Sequence, residues 1–600
     1  MSRDPPALAE SPLDWSGDGQ PRSRLYGDVY FSAEDGLAEA RAVFLLGCGL
    51  PNAWTGRRRF VVGELGFGTG LNILALLHLW RETRPSGGRL HIFSVEAHPL
   101  TVADARRALA HWPELSDLAA HLTDCWPGQA HGVHRVEFPD LGVILDVSVG
   151  EVAQALEDWS GRADAWFLDG FSPALNPAMW RDEVLALVAA RSAPGAAAAT
   201  FTVAGQVRRG LTAAGFTVEK LPGFGRKRQR LAARLPGEPE PEGRGRTVAI
   251  IGCGIAGAAA ARAVRSLGAK ALIFEAQGPG AGASGNPAAM VTPRLDAGLG
   301  PPAQLFAQTF RRAVALYETL PGAVIARGVL QFSAQPKDAA RFAAIAGSAL
   351  FEPGSLERLG PQEAESLMGE ATPPALAQHQ ALVVEPRVVL QALAADISTL
   401  RVAALSHNAE DWTLLDADGR VLGRADAVIL AAGPASARLW PDLPLQPVRG
   451  QASWAELDHP PPAAAWGGYA VPMPGGILFG ATHDRDDQGL EIRPLDHDRN
   501  RATLAQGLPG LAGRLDGLDL QGRASVRAAT PDFLPLAGAV EAKPGLFVLS
   551  GFGSRGFCLA PLLAEHVAAL ALGAPSPLAA PLAHLVDPAR LARRAARRTP

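Results

Sequence analysis

Twice in this 600-residue chain an apolar strand runs directly into a glycine-rich turn and then into an apolar helical segment. That repeated unit confines each half to a layered α/β fold with a mainly parallel sheet, whose ligands lie beyond the carboxyl ends of the strands. In the first half the strand is Arg59–Leu65, the turn Gly66-Phe67-Gly68-Thr69-Gly70 and the helix residues 71–77. Two further strands, residues 90–96 and 165–170, follow at helix-containing intervals, and each carries an acid at its end. In the second half Thr247–Ile251 is the strand, Gly252-Cys253-Gly254-Ile255-Ala256-Gly257 the turn, residues 258–267 the helix and 271–275 the next strand.

Between the halves lies Pro-Gly-Glu-Pro-Glu-Pro-Glu-Gly-Arg-Gly-Arg, residues 236–246. Proline removes backbone donors and glycine raises the cost of ordering, so this stretch reads as a linker. The expected organisation is a Rossmann-like domain over 1–235, the linker, and a second nucleotide-binding fold over 247–600. From about 321 to 530 short segments alternate with Pro and Gly turns, among them Val324–Phe332 and Gly476–Gly480. They predict an inserted, largely antiparallel substrate subdomain, which makes the chain a multidomain α/β and α+β protein. The nucleotide fold is expected to resume at 427–433 and at 545–551.

A formal net charge of -4 does not point to a polyanion partner, although local clusters can still bind one. Arg57-Arg58-Arg59, Arg226-Lys227-Arg228 with Arg230, and the tail with Arg590, Arg593, Arg594, Arg597 and Arg598 read either as solvated faces or as phosphate contacts. The four cysteines, Cys48, Cys125, Cys253 and Cys558, are scattered. They support neither a disulfide framework nor a zinc ribbon and fit a reducing, cytoplasmic compartment. Residues 1–24 lack the apolar run of a secretory signal, and no stretch is apolar enough for a membrane span.

In the first turn Gly66, Gly68 and Gly70 let the backbone approach a ligand, and Glu64 and Glu96 stand ready for polar or positive groups. A carboxylate at Glu96 has enough acceptor sites for both ribose hydroxyls of an adenosine. The turn lacks G-x-G-x-x-G spacing and follows an acid, which favours S-adenosylmethionine over NAD. In the second turn Gly252, Gly254 and Gly257 have the spacing for a tight turn, pyrophosphate approach and close helix packing, with Glu275 placed for the adenosine ribose. Three later features favour FAD over NAD: the polar loop 280–286 with Ser284, the small-residue strand end at Gly433, and the turn 551–557 with Gly553 and Gly556 before an apolar helix. With Val383-Val384-Glu385-Pro386 they resemble the D-amino-acid oxidase and glycine oxidase class of flavoproteins.

Residues 60–70, the long stretch Asp164-Ala165-Trp166-Phe167-Leu168-Asp169-Gly170-Phe171-Ser172-Pro173-Ala174-Leu175-Asn176-Pro177-Ala178-Met179-Trp180, and Pro222-Gly223-Phe224-Gly225-Arg226-Lys227-Arg228 are similar to the methyltransferase half of the MnmC family of bifunctional tRNA-modifying enzymes. With the flavoprotein features the resemblance covers nearly the whole chain. It implies a carboxymethylaminomethyl group on a tRNA wobble uridine as substrate. Hydride transfer from its methylene to FAD leaves an imine, and hydrolysis then gives the primary amine and glyoxylate. The amine is afterwards methylated from S-adenosylmethionine.

Under that resemblance Asp169 is the main catalytic candidate of the methyltransferase, orienting the amine and accepting its proton; an Asp-Gly turn cap is the other reading. Phe171 and Trp180 line the pocket or simply pack. Glu151, after Gly150, stands at a family position usually occupied by Asp and is a cofactor-contact candidate. Arg527 and Arg555, ahead of Arg449, are the expected binders of the substrate carboxylate, or else partners in structural salt bridges. Cofactor motifs fix chemistry more firmly than substrate, so a fused pair acting on a free amino acid or small amine remains the alternative.

Overall fold

The computed structural model describes residues 12–15, 20–31, 35–225, 228–239, 246–394, 396–408, 410–541 and 543–596. Most of the 236–246 linker, Arg226 and Lys227, and Arg597 and Arg598 lie outside the described residues. The chain divides into two compact units, residues 1–244 with 575–580 and residues 245–574 with 581–600.

The first unit is built on an eight-stranded sheet in the order 132–138, 143–149, 89–96, 59–65, 163–168, 192–200, 229–234, 217–222. Its five central strands are parallel, and antiparallel strands close both edges. Arg59–Leu65, with six of its seven residues buried, holds the middle. Parallel strands covered on both faces need such continuous apolar runs. Gly63 makes room there for the fully buried Trp166 ring, whose atoms occupy the place of a Cβ. The helix after the turn is longer than its apolar sequence run, continuing to Thr83 (Leu71–Thr83), and Trp80 from the extension packs edge-on against Trp54 at 5.1 Å.

In the second unit a six-stranded sheet follows the order 397–398, 270–274, 247–251, 427–430, 546–550, 536–539, parallel except for the last pair. The chain leaves this sheet after 270–274 and returns at 427–430 and 546–550. In the stretches between 270–274 and 397–398 and between 427–430 and 536–539 it builds a ten-stranded sheet, antiparallel in every pairing but one. That sheet reaches further back in sequence than 321, because Ala289–Val291 pairs with the end of Ala375–Val384. A small three-stranded sheet, residues 404–425, stands apart from both. The helix of the glycine motif starts at Ile255 and not at Ala258, with Gly254 as its cap, so Gly257 lies inside its first turn.

Among the described residues no helix is long and apolar enough to cross a membrane. The basic tail is largely committed within its own unit. Arg590 is 4% exposed, and both it and Arg594 pair with Asp532, while Arg593 pairs with Asp587 and Glu541. In the first unit Arg57 pairs with Asp164 at 2.8 Å. Arg230 is turned inward, its Nη1 donating to Val43 O at 3.5 Å.

Candidate active sites

At the carboxyl end of the first sheet the chain turns at Gly66 with φ 95°, and a side chain there would run into the backbone carbonyl of Asp169. Only glycine lets the two strand ends lie this close. Gly68 (φ 52°) donates its N–H to Glu96 Oε2 at 2.9 Å, and Gly70 (φ 77°) starts the helix. Glu96 Oε1 accepts from His98 N at 2.9 Å, so each oxygen has one backbone donor and keeps acceptor capacity for ribose hydroxyls.

Glu64 is fully buried. Its Oε2 accepts from Ser94 Oγ at 2.6 Å, while Oε1 has no hydrogen-bond partner among the described residues. Burial, with the Asp169 and Glu96 carboxylates nearby, pushes the Glu64 carboxyl well above the ordinary carboxylate range. The spare acceptor oxygen of Glu64 beside the glycine turn fits a polar group of S-adenosylmethionine. Asn72, from the helix, donates Nδ2 to Asp169 Oδ2 at 2.6 Å.

Phe171 joins a ring cluster with Tyr26 at 5.1 Å and Tyr30 at 5.2 Å. Asp28 Oδ2 accepts from Ser172 N at 2.8 Å, tying residues 26–30 to the loop after Asp169. Trp180 is buried and donates Nε1 to Phe171 O at 2.8 Å, so it supports that loop from beneath. Glu151 caps the helix Val152–Asp158 through Ala153 N and Gln154 N, and its other oxygen pairs with Arg181 at 2.9 Å. Asn72 and the two tyrosines are absent from the sequence expectation. The available signal was compositional, since two of the chain's four tyrosines fall within five residues of a polar segment.

In the second unit Gly252 (φ 104°) places its turn against the strand end at 431–432, where an added Cβ would meet Ala431 O at 2.7 Å. A Cβ on Gly257 would strike Gly252 O, so the helix lies directly on the turn. Glu275 accepts from Cys253 N at 2.6 Å and Gln277 N at 2.9 Å. Ser284 Oγ accepts from Ile255 N at 3.0 Å and stands 3.1 Å from the place of a Gly254 Cβ. Gly433 and Gly553 have positive φ and open space where side chains would stand, and Gly556 opens the helix Gly556–Leu572. Bare backbone at these turns fits the pyrophosphate and flavin portions of FAD.

Arg527 and Arg555 make no ion pair with a described residue. Arg527 donates Nη1 to Thr482 O at 3.3 Å, and Arg555 donates Nη1 to Thr292 O and Pro293 O, both at 3.2 Å. Burial lowers both guanidinium pKa values from their usual level. Gly553 N donates to Ala528 O at 2.8 Å, which ties the turn carrying Arg555 to the strand carrying Arg527. Arg449 differs: fully buried, it pairs with Asp496 at 2.5 Å and donates to Gly489 O, Glu491 O and Gln451 Oε1. Its donors are spent on structure.

The two sites define a fusion of an adenosylmethionine-dependent methyltransferase with an FAD-dependent oxidoreductase. Residues 113–236 match the family of S-adenosyl-L-methionine-dependent methyltransferases, and residues 247–570 match that of FAD dependent oxidoreductases. The chain is 59% identical to the tRNA 5-methylaminomethyl-2-thiouridine biosynthesis bifunctional protein MnmC of Caulobacter sp. (strain K31), over 98% of each chain. It is also 59% identical to the protein of that name from Caulobacter vibrioides, over 96% of this chain and 97% of the relative. L-proline dehydrogenase from P. horikoshii shares the second unit's fold, with a TM-score of 0.50 at 17% identity over 59% of this chain and 99% of its own. The chain belongs to the MnmC family of bifunctional enzymes, and its cofactors are FAD and S-adenosylmethionine.

Proposed function

We propose that both units act in turn on one wobble uridine of tRNA, the oxidoreductase removing the carboxymethyl group from 5-carboxymethylaminomethyl-(2-thio)uridine and the methyltransferase methylating the amine so exposed. The relatives' shared description supports this substrate. When bound, FAD takes up the hydride and S-adenosylmethionine supplies the methyl group.

The observation that carries the reading is Arg527, a guanidinium in the flavoprotein unit that makes no ion pair with a described residue. Such a group suits an anionic substituent, and it would hold the substrate carboxylate so that the adjacent C–H bond faces the flavin. Arg555 adds a second positive charge at the start of its helix. In the methyltransferase unit Asp169 would accept a hydrogen bond from the amine and take its proton as the N–C bond forms. Asn72 would hold that carboxylate in place. Glu64 and Glu96 would receive the polar groups of the methyl donor, while Ser284 and Glu275 would position the dinucleotide. The scattered cysteines support a cytoplasmic setting.

The direct experiment incubates the purified protein with tRNA from cells lacking the activity, with and without S-adenosylmethionine, and identifies the wobble nucleoside by mass spectrometry. The aminomethyl form without the donor and the methylaminomethyl form with it are the expected products. Unchanged tRNA beside oxidation of a free amine would overturn the reading.

A further inference from the structure

Phe533 combines three features that packing does not explain. It is a non-glycine residue at φ 58°, it is 57% exposed, and it sits in the loop following the strand that carries Arg527. A bulky residue in the left-handed region is costly and persists only where its surroundings over-determine it. They do so here. Thr530 Oγ1 donates to Leu534 O at 2.7 Å, Phe533 N donates to Thr530 O at 3.1 Å, and Asp532 Oδ1 accepts from Leu534 N at 3.3 Å. From below, the buried Arg590 grips Asp532 through both carboxylate oxygens and donates to Leu534 O and Pro535 O. The loop is a rigid mount that holds an aromatic ring out into solvent.

Beside the ring stands a cation. The guanidinium carbon of Arg485 lies 5.8 Å from the centre of the Phe533 ring, and Arg485 makes no ion pair with a described residue. Arg485 and Arg527 are both opposite Val448, one on each neighbouring strand. Directly opposed residues point to the same face of a sheet. Arg485, Val448 and Arg527 therefore form one transverse row. His483 reports on the same face: after burial, both Arg527 and Arg485 lower its pKa. Two strand spacings put the Cα atoms of the two arginines roughly 10 Å apart. The arm between a uracil ring and its terminal carboxylate is about 5 Å long by standard bond lengths. With its carboxylate on the Arg527 side chain, the ring would come out toward Arg485 and Phe533.

We propose that Phe533 is a base-stacking platform at the rim of the oxidoreductase site, holding a nucleobase of the tRNA anticodon loop while Arg485 meets the adjoining phosphate. The inference rests on the tRNA reading given above and adds to it the residue that prefers a polynucleotide over a small amine. An exposed aromatic stacks on any base, and a neighbouring guanidinium reinforces it.

The test follows anaerobic bleaching of the bound flavin in the full-length holoenzyme at rising concentrations of tRNA from cells lacking the activity, the concentration that gives half the limiting bleaching rate taking the place of KM and the limiting rate that of kcat. Phe533→Ala and Phe533→Leu are expected to raise KM for this tRNA about tenfold, with kcat moved far less, and Phe533→Trp to restore KM. Phe533→Gly relieves the left-handed backbone, so it should keep the parent's melting temperature and flavin content while showing the same raised KM. Arg485→Gln should lower the salt dependence of KM by about one phosphate contact. An unchanged KM in Phe533→Ala, or a Leu variant as good as the parent, would overturn the stacking role alone. A parent holoenzyme that no tRNA bleaches would overturn the substrate reading and the platform with it.

Discussion

The guanidinium of Arg527 occupies the space in which a side chain on Gly450 would begin: an ideal Cβ there would lie 2.5 Å from Arg527 Cζ. The two residues are on paired strands, and Gly450 faces Ser525 in the register. Arg527 thus folds over a bare stretch of sheet, makes no ion pair with a described residue and is held by Thr482 O. The missing side chain is what lets the cation lie flat.

Gly450→Ala should therefore displace the guanidinium without unfolding the sheet, because the clashing atoms are the far end of a flexible side chain. A displacement of about 1 Å at a substrate-positioning group costs on the order of 10²-fold in rate. The rate of flavin bleaching by the carboxymethylated substrate measures it, with the melting temperature as control. Arg527→Lys should lose a comparable amount, since an ammonium cannot make the two-pronged contact. Equal rates in parent and both variants would remove Arg527 from the substrate site.

Asn72 and Asp169 are linked across 97 residues of sequence by a 2.6 Å hydrogen bond. Asp169→Asn removes the proton acceptor, and transfer of a labelled methyl group should fall by about 10² to 10⁴-fold. Asn72→Ala leaves the acid in place but unoriented, so its loss should be smaller, and flavin bleaching should persist in both variants. A methylation rate that Asp169→Asn leaves intact would return Asp169 to the role of a turn cap.

The strands, glycine turns and acids at strand ends were legible because each is local. Arg59–Leu65 with Gly66 to Gly70, and Thr247–Ile251 with Gly252 to Gly257, announce themselves within a dozen residues. Gly450 was not legible, since nothing near it in sequence says that Arg527 will fold across it. Asn72 looked like one more position of an apolar helix until the strand end at Asp169 was set beside it. The tail arginines misled for the same reason: a basic run reads as a surface, yet the carboxylate that takes up Arg590 and Arg594 is Asp532, about sixty positions upstream. Glu151 is a cofactor-contact candidate through the family resemblance of Gly150-Glu151, and its ion pair with Arg181, thirty positions on, is a further link that the local sequence does not show.

Two carboxylates in the first sheet should respond to pH with opposite signs. Asp146 is buried, which by itself raises a carboxyl pKa, but Arg135 at 2.8 and 2.7 Å and His91 at 2.8 Å reverse that and hold it well below the ordinary range. Burial lowers the His91 pKa, so the ring is neutral and donates its Nε2 hydrogen to the carboxylate. A depressed carboxylate contributes stability above its unfolded pKa that is lost as pH falls through the folded value. Asp146→Ala removes the buried carboxylate that both Arg135, whose side chain is 4% exposed, and His91 bond, and should cost about 3 to 5 kcal/mol. Denaturant unfolding near pH 7 reads that loss, and it should shrink in acid; a variant as stable as the parent would mean the buried pair contributes nothing.

Glu64 has the reverse shift. Its folded pKa is raised, chiefly by burial, so above the ordinary carboxylate pKa the unfolded chain gives up this proton while the native protein keeps it. The native state then binds more protons than the unfolded state, and stability falls as pH rises until the folded pKa is passed. Glu64→Gln keeps the shape and an oxygen for Ser94 Oγ but removes the titration. Without S-adenosylmethionine, the melting temperature of Glu64→Gln relative to the parent should rise between pH 5 and pH 8. The donor should bind the variant more weakly, because the oxygen left without a partner at the glycine turn can be replaced by an amide nitrogen that offers no acceptor. A melting difference that stays flat across this range would mean that Glu64 is ionised in the folded protein, with the unpaired oxygen already satisfied by water.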